Sequence, residues 1–389
     1  MILFTVSGKK DMDVKTTVDI KTTLEPSRVL DLPPKEDIET ISIMRLVIEA
    51  SRALAELKNK ADRLPNQYIL VYNIALREAE DSSAIENIVT TSDVLYKADI
   101  TPENQLDPRT KEVRSYNAAL WYGMELIKNR PLATNVFVAI VQKIKSNTAG
   151  IRTTPGTVIK NKKTDEIVHV PPQSEAEIRE KLKNLEDFLY LSEYSEIDPL
   201  IKLAIMHYQF EAIHPFYDGN GRVGRIANIL WLVQEKLLNQ PVLFLSGYFW
   251  QNRDEYYKRL ADVTSNRAWE DWIIYVLKGI VETSKKTCDL IDKIILVREL
   301  YQKEMQNYFQ KIYSFDMLES VFSAPYFRLS DFTRNMPTIG AQTASKYLRL
   351  LSEPYKRDDG SNGQILKMFK QGRENIYFNK QLFDILTGT

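Results

Sequence analysis

The stretch HPFYDGNGRVGR, residues 214–225, sits between two apolar runs, Leu200–Ile213 and Ile226–Leu238, whose spacing suits helices. The motif is therefore a loop between two helices. Each residue type in the loop has a chemical use. His214 is a base that is neutral near pH 7, and Asp218 is a hard oxygen ligand suited to Mg²⁺. Gly219, Asn220 and Gly221 permit a tight turn whose amide groups point into one concavity and feed the next helix, a place that binds anions. Arg222 and Arg225 are three apart, so on a helix both guanidinium groups leave from nearly one face and can clamp phosphate. Base, metal ligand, anion nest and paired arginines together point to phosphoryl or nucleotidyl transfer.

The string resembles the signature of the Fic (filamentation induced by cAMP) family, H-x-F-x-D/E-G-N-G-R-x-x-R, with all eight fixed positions present. The resemblance implies an enzyme that binds ATP with Mg²⁺ and transfers AMP to a Ser, Thr or Tyr hydroxyl of a target protein. It makes His214 the catalytic base and Asp218 the metal ligand, and gives the nucleotide to Asn220, Gly221, Arg222, Gly224 and Arg225. It also implies a mainly α fold, a Fic-type helical bundle with a small β-hairpin flap.

Upstream, periodic apolar residues predict helices over 35–64 and 66–80, followed by Ser82-Ser83-Ala84-Ile85-Glu86-Asn87. Ser82 and Glu86 are one helical turn apart, so a carboxylate there could reach an arginine on another element. The segment resembles the Fic inhibitory-helix motif, S/T-x-x-x-E-G/N, with Ser82, Glu86 and Asn87 at its fixed places. That resemblance implies that Glu86 pairs with Arg225 and blocks the productive position of the ATP γ-phosphate.

The chain's 389 residues exceed one ordinary core, and two or three domains are expected. With 44% hydrophobic and 27% charged residues the composition is that of a folded globular protein. Lys plus Arg and Asp plus Glu number 52 each, so there is no overall electrostatic pull toward nucleic acid. One cysteine excludes an internal disulfide framework, and three histidines leave little for a structural zinc. No run of eighteen apolar residues suggests a membrane span, and the N-terminal apolar stretch is too short for a secretory signal, so a cytoplasmic location is the default expectation.

The N-terminal region, 1–110, is read as a β-prone, extended arm followed by helices, with the inhibitory helix at about 80–90. The catalytic core spans 111–283. Within it the period changes over 150–170, where two short strands flank a polar turn. This looks like the Fic flap, which holds an extended target strand, and Ile151, Arg152 and Val158 are its candidate docking residues. His207, in an otherwise apolar helix, reads as a buried, hydrogen-bonded histidine. Tyr257 resembles the family's wall around adenine but could equally be core.

A helix over 268–282 closes the core and another over 288–312, within a connector at 284–312, leads to residues 313–389. There, three short helices and two strands, 365–370 and 375–379, suggest a winged-helix domain. Its third helix offers Gln342, Thr343, Lys346 and Arg349, which leaves DNA binding possible, with protein contact the favoured use. A homodimer built on the N-terminal arm and helices, and self-modification, also fit. Three alternatives stay open: a different phosphate-containing donor, removal of AMP with Glu86 positioning a water, and a nucleotide-sensing DNA-binding regulator.

Overall fold

A computed structural model describes residues 29–63, 67–160 and 167–388. The β-prone start of the N-terminal arm and the polar turn at 161–166 lie outside them. The chain is mainly helical, and its elements run α1 (Ile41–Asp62), α2 (Gln67–Ile85), α3 (Ser92–Ala98), α4 (Pro108–Ile127) and α5 (Thr134–Lys145). The hairpin β1 (Ile159–Lys160) and β2 (Ile167–His169) follows, then α6 (Glu175–Tyr190), α7 (Pro199–Ile213) and α8 (Asn220–Gln234). Next come α9 (Leu245–Gln251), α10 (Arg253–Asn266) and the 40-residue α11 (Trp269–Tyr308).

The centre of the bundle is α7. Pro199 takes its first position and Asp198 caps it, accepting from the Leu200 amide at 2.8 Å. All its residues from Leu200 to Ile213 are buried except Glu211, as expected of a helix apolar on every side. It packs against α6, α8 and α11. His207 belongs to this core: its ring stacks on Phe249 and Trp272, and its Nε2 lies 2.9 Å from the Tyr256 hydroxyl. The arm's last residues pack on the chain's own body, where Gln209 donates to the Leu30 carbonyl at 2.7 Å and Asn184 bonds both backbone groups of Leu32.

The helix after the motif starts at Asn220, so the glycine turn feeds it directly and both motif arginines lie on it. One helix boundary differs from the expectation. The two helices expected over 268–312 are one: no Gly or Pro interrupts residues 280–290, and the buried hydroxyls of Thr283 and Thr287 are satisfied by carbonyls one turn back, at 2.7 and 2.8 Å.

Beyond α11 lie α12 (Phe315–Val321), β3 (Tyr326–Arg328), α13 (Leu329–Asn335), α14 (Ala341–Ser352), β4 (Tyr355–Lys356), β5 (Asn362–Gly363), β6 (Lys367–Gln371), β7 (Glu374–Phe378) and α15 (Lys380–Thr387). Strands β3, β7 and β6 make an antiparallel sheet in that order, and β4 pairs with β5. β3 and α15 were not anticipated; both are short. This module rests on the N-terminal helices: the Tyr326 hydroxyl donates to Asp93 at 2.7 Å, Arg328 donates to the Ile100 carbonyl, and Arg77 of α2 reaches the Leu386 carbonyl at 3.5 Å. Among the described residues no helix is long and apolar enough to cross a membrane.

Candidate active site

His214 ends α7 in the left-handed conformation, φ 49° and ψ 59°, and Gly219, φ 89°, turns the chain into α8. Between them Asn220 closes the loop on itself: its Oδ1 accepts from the Phe216 amide and its Nδ2 donates to the Phe216 carbonyl, both at 2.8 Å. Asn220 is therefore the loop's internal brace, and Phe216 is buried beneath it. The first turn of α8 lines a cleft of about 380 Å³ together with His214, Asp218, Glu112, Tyr256 and Tyr257. The first amides of a helix have no partner within it, which suits this wall to anions. Burial, followed by the nearby charges of Arg152 and His169, brings the His214 imidazole down to about 3, so it is unprotonated at neutral pH.

The two arginines of the motif diverge. Arg222, buried, donates to Glu112 Oε1 at 2.6 Å and lies 3.6 Å from Asp218. Asp218 also accepts from Lys145 at 2.6 Å. Burial would raise the Asp218 carboxyl, but the Lys145 hydrogen bond and the Arg222 charge hold it below its ordinary value. Arg225, with a side chain only 2% exposed, turns the other way. Its Nε donates to the Ser82 hydroxyl at 2.8 Å, and one terminal nitrogen donates to the Ser82 carbonyl at 3.1 Å and to Glu86 Oε1 at 2.7 Å. The cost of burial is opposed by Glu86, Tyr256 and Glu211, which hold the guanidinium above its ordinary value.

Local helix chemistry explains how Glu86 gets there. The Asn87 amide bonds to the Ala84 carbonyl at 2.9 Å and the Ile88 amide to the Ser83 carbonyl at 3.0 Å, which is the Schellman pattern that ends a helix. Asn87 occupies the left-handed position, φ 64°, open mainly to Gly or Asn. Glu86 is the cap residue just before it, projecting from a helix end rather than a helix face. Arg253 secures the cap from outside, bonding the Ile85 carbonyl and Asn87 Oδ1, the latter at 3.2 Å. A Cβ on Gly221 would stand 2.3 Å from Glu86 Oε1 and 2.9 Å from Arg225, so the ion pair needs a glycine there. Gly224 lets α7 and α8 approach, since its Cβ would fall 2.8 Å from Glu211 Oε1 and 3.2 Å from Phe210.

The hairpin grips the motif through its backbone. Arg152 Nε donates to the His214 carbonyl at 2.9 Å, another Arg152 nitrogen donates to the Pro172 carbonyl, and the Arg152 amide bonds the Pro215 carbonyl at 2.9 Å. On the second strand, His169 Nε2 bonds the Ala212 carbonyl at 2.7 Å. The Tyr217 hydroxyl accepts from the Thr153 and Thr154 amides at 3.0 and 3.1 Å. Ile151, Arg152 and Val158 are thus all buried. As docking residues they need correction: buried side chains are not presented to a target, that of Arg152 fastens the hairpin to the protein, and among the hairpin's described residues Ile167 is 52% exposed. Tyr257 is buried, and it forms part of both this cleft and a small apolar slot of about 40 Å³ whose walls include Ile159, Val168 and Leu260.

Glu112, Lys145, Glu211, Tyr217 and Arg253 were not anticipated as site residues. Glu112, Lys145 and Arg253 sit among many surface charges, and only the folded arrangement singles them out. Glu211 had a visible signal, as a lone carboxylate in a run of apolar residues.

Three family models match the chain: Fic/DOC family N-terminal over residues 44–125, Fic/DOC family over 131–232, and the SoFic-like protein adenylyltransferase C-terminal domain over 297–382. The chain belongs to the Fic/DOC family. A probable protein adenylyltransferase of Aquifex aeolicus is 29% identical to this Fic protein over 194 residues, 48% of the chain and 50% of that relative. Protein adenylyltransferase fic-1 of Caenorhabditis elegans is 36% identical over 89 residues, 23% of the chain and 16% of that relative. The chain therefore spans half the length or less of these curated relatives. A crystal structure of a Fic family protein from Desulfovibrio desulfuricans shares the fold, with a TM-score of 0.55 over 89% of this chain and 98% of that one at 18% identity.

Proposed function

We propose that this Fic protein is a protein adenylyltransferase, moving AMP from ATP to a hydroxyl of a target protein, and that the Glu86–Arg225 pair holds it in a resting state. The observation that carries this reading is one cleft in which a neutral imidazole, the N-terminal turn of α8 and two buried arginines converge, each arginine held by a carboxylate from another helix, Arg222 by Glu112 and Arg225 by Glu86. A cleft of about 380 Å³ falls in the range of roughly 300–1,000 Å³ common for small-molecule sites.

The phosphates of ATP would lie along the first turn of α8 between Arg222 and Arg225, with the adenine toward the apolar slot beside Tyr257. The target hydroxyl oxygen attacks the α-phosphorus, the bond to the β-phosphate bridging oxygen breaks, and pyrophosphate leaves. His214 accepts the hydroxyl proton; for that step placement near 3 Å matters most, and bound polyphosphate would offset the positive charge of Arg152 and make the imidazole more basic. Among the described residues no cluster of three His, Cys, Asp or Glu could hold a metal alone. Mg²⁺ fits nonetheless through Asp218, because this ion is commonly held by one or two carboxylates plus substrate phosphates; Lys145 would give up its bond. When bound, the ion neutralises phosphate charge. Arg225 can meet the γ-phosphate only after Glu86 withdraws.

The relatives named as protein adenylyltransferases support the same activity. The order helix, strand, helix, helix and then the strand pairs β4–β5 and β6–β7, from α12 to β7, fits a winged helix, and its packing on α2 and α3 favours protein contact. Incubation with α-labelled ATP and Mg²⁺ tests the reading: weak labelling by the wild type, strong labelling by Glu86→Gly and none by His214→Ala are expected. Labelling that persists in His214→Ala would overturn the role of the base.

A further inference from the structure

The apolar slot and the cleft at the start of α8 share two residues, Tyr257 and Glu211. If the base enters the slot and the phosphates lie on α8, the sugar must pass the place where these two stand. One is a phenol ring, the other a carboxylate whose hydrogen-bonding capacity the protein leaves partly unused. Glu211 Oε1 is buried beside Gly224 with no hydrogen-bond partner among the described residues. It makes no ion pair with Arg225, whose bonds go to Ser82 and Glu86. An unpaired buried carboxyl oxygen is costly to keep, and such a cost is expected to persist where a ligand satisfies the group.

We propose that Glu211 reads the ribose of the bound nucleotide, accepting a hydrogen bond from a sugar hydroxyl and so selecting ribonucleotides over deoxyribonucleotides. The inference rests on the adenylyltransferase reading for the orientation of its ligand. Burial, with Glu86 adding to it against Arg225, raises the carboxyl to about 7, so both protonation forms are accessible, and either one can accept from a hydroxyl. The bland alternative, a spare carboxyl that merely fills space beside Gly224, predicts no dependence on the sugar.

The test is calorimetric titration of the full chain, in the Glu86→Gly background, with ATP, 2′-deoxy-ATP and 3′-deoxy-ATP. A hydrogen bond to a charged group corresponds to a preference of about tenfold to hundredfold for ATP over the analogue that lacks the hydroxyl. Glu211→Ala should bring that ratio to within about threefold, with the analogue's own affinity nearly unchanged; Glu211→Gln, which keeps an acceptor, should retain part of it. A ratio unchanged in Glu211→Ala, including the case in which all three ligands weaken together, overturns the proposal. So does a parent protein that binds the three equally. Failure of the parent to bind ATP at all would sink the adenylyltransferase reading itself, a result distinct from an unchanged ratio.

Discussion

Replacing Glu86 by Gln leaves a side chain of the same shape that still accepts from Arg225 but carries no charge, whereas Gly removes the contact. The magnitude follows from the geometry. The pair is 2.7 Å long and Arg225 is almost fully enclosed, so the bond is of the charge-assisted kind, worth about 1.5–3 kcal/mol. If resting and open states differ by that bond, removing it raises the open fraction, and the labelling rate, by about tenfold to hundredfold. Glu86→Gln should lie between wild type and Glu86→Gly. Ser82→Ala, which deletes one hydrogen bond from the charged Arg225 guanidinium to an uncharged acceptor, at the lower end of that range at about 1.5 kcal/mol, should change the rate by about tenfold. The assay is initial-rate self-labelling with α-labelled ATP at fixed Mg²⁺, paired with ATP-dependent shifts in melting temperature to separate binding from chemistry. Equal rates for wild type and Glu86→Gly would refute the assignment of Glu86.

Arg253→Ala should loosen the α2 cap and raise wild-type labelling severalfold, an effect absent when Glu86 is already Gly; a matched rise in both would show that the cap is not involved. Arg152→Ala removes the two side-chain hydrogen bonds to the His214 and Pro172 carbonyls, keeping the backbone bond to Pro215, and should cost about 2–4 kcal/mol in denaturant unfolding, with Arg152→Lys recovering only part. Glu78 is buried against Ser246 and Tyr116, and burial raises its carboxyl to about 8 despite those hydrogen bonds. The folded state thus binds a proton that the unfolded state releases, so the contribution is full below pH 4.5 and is lost as pH rises toward 8. Glu78→Gln should flatten the fall in stability between pH 5 and 7 by up to about 1.4 kcal/mol per unit. A chelator should abolish labelling, and Asp218→Asn should do so even at high Mg²⁺.

Much of this architecture can be read from sequence because it rests on local rules. The apolar run from Leu200 to Ile213 is a buried helix in any setting that hides every side, and the eight fixed residues of the motif converge on one loop and one helix start. Ser82, Glu86 and Arg225 are legible as partners only through the family resemblance, since 139 residues separate the pair and no periodicity spans that distance. What escaped reading depended on packing. Arg152 looks like a surface cation of a hairpin, yet the carbonyls of His214 and Pro172, from two other segments, draw it inside. Residues 283–287 look like a helix boundary, because Thr, Ser and Lys interrupt the apolar spacing, but the helix buries their hydroxyls and continues. Lys145 and Glu112 became site residues only when α4 and α5 closed over the loop.

Glu86 occupies the final turn of α2, and that position sets how the resting state can be left. No domain has to rotate and no helix has to slide; fraying at one terminus suffices, and such openings lie at the low end of a protein's range of local stabilities. Under the proposed function, any basal leak is then a property of a helix terminus, open to adjustment by residue 87 or by whatever touches Arg253, while the proposed base, His214, stays untouched.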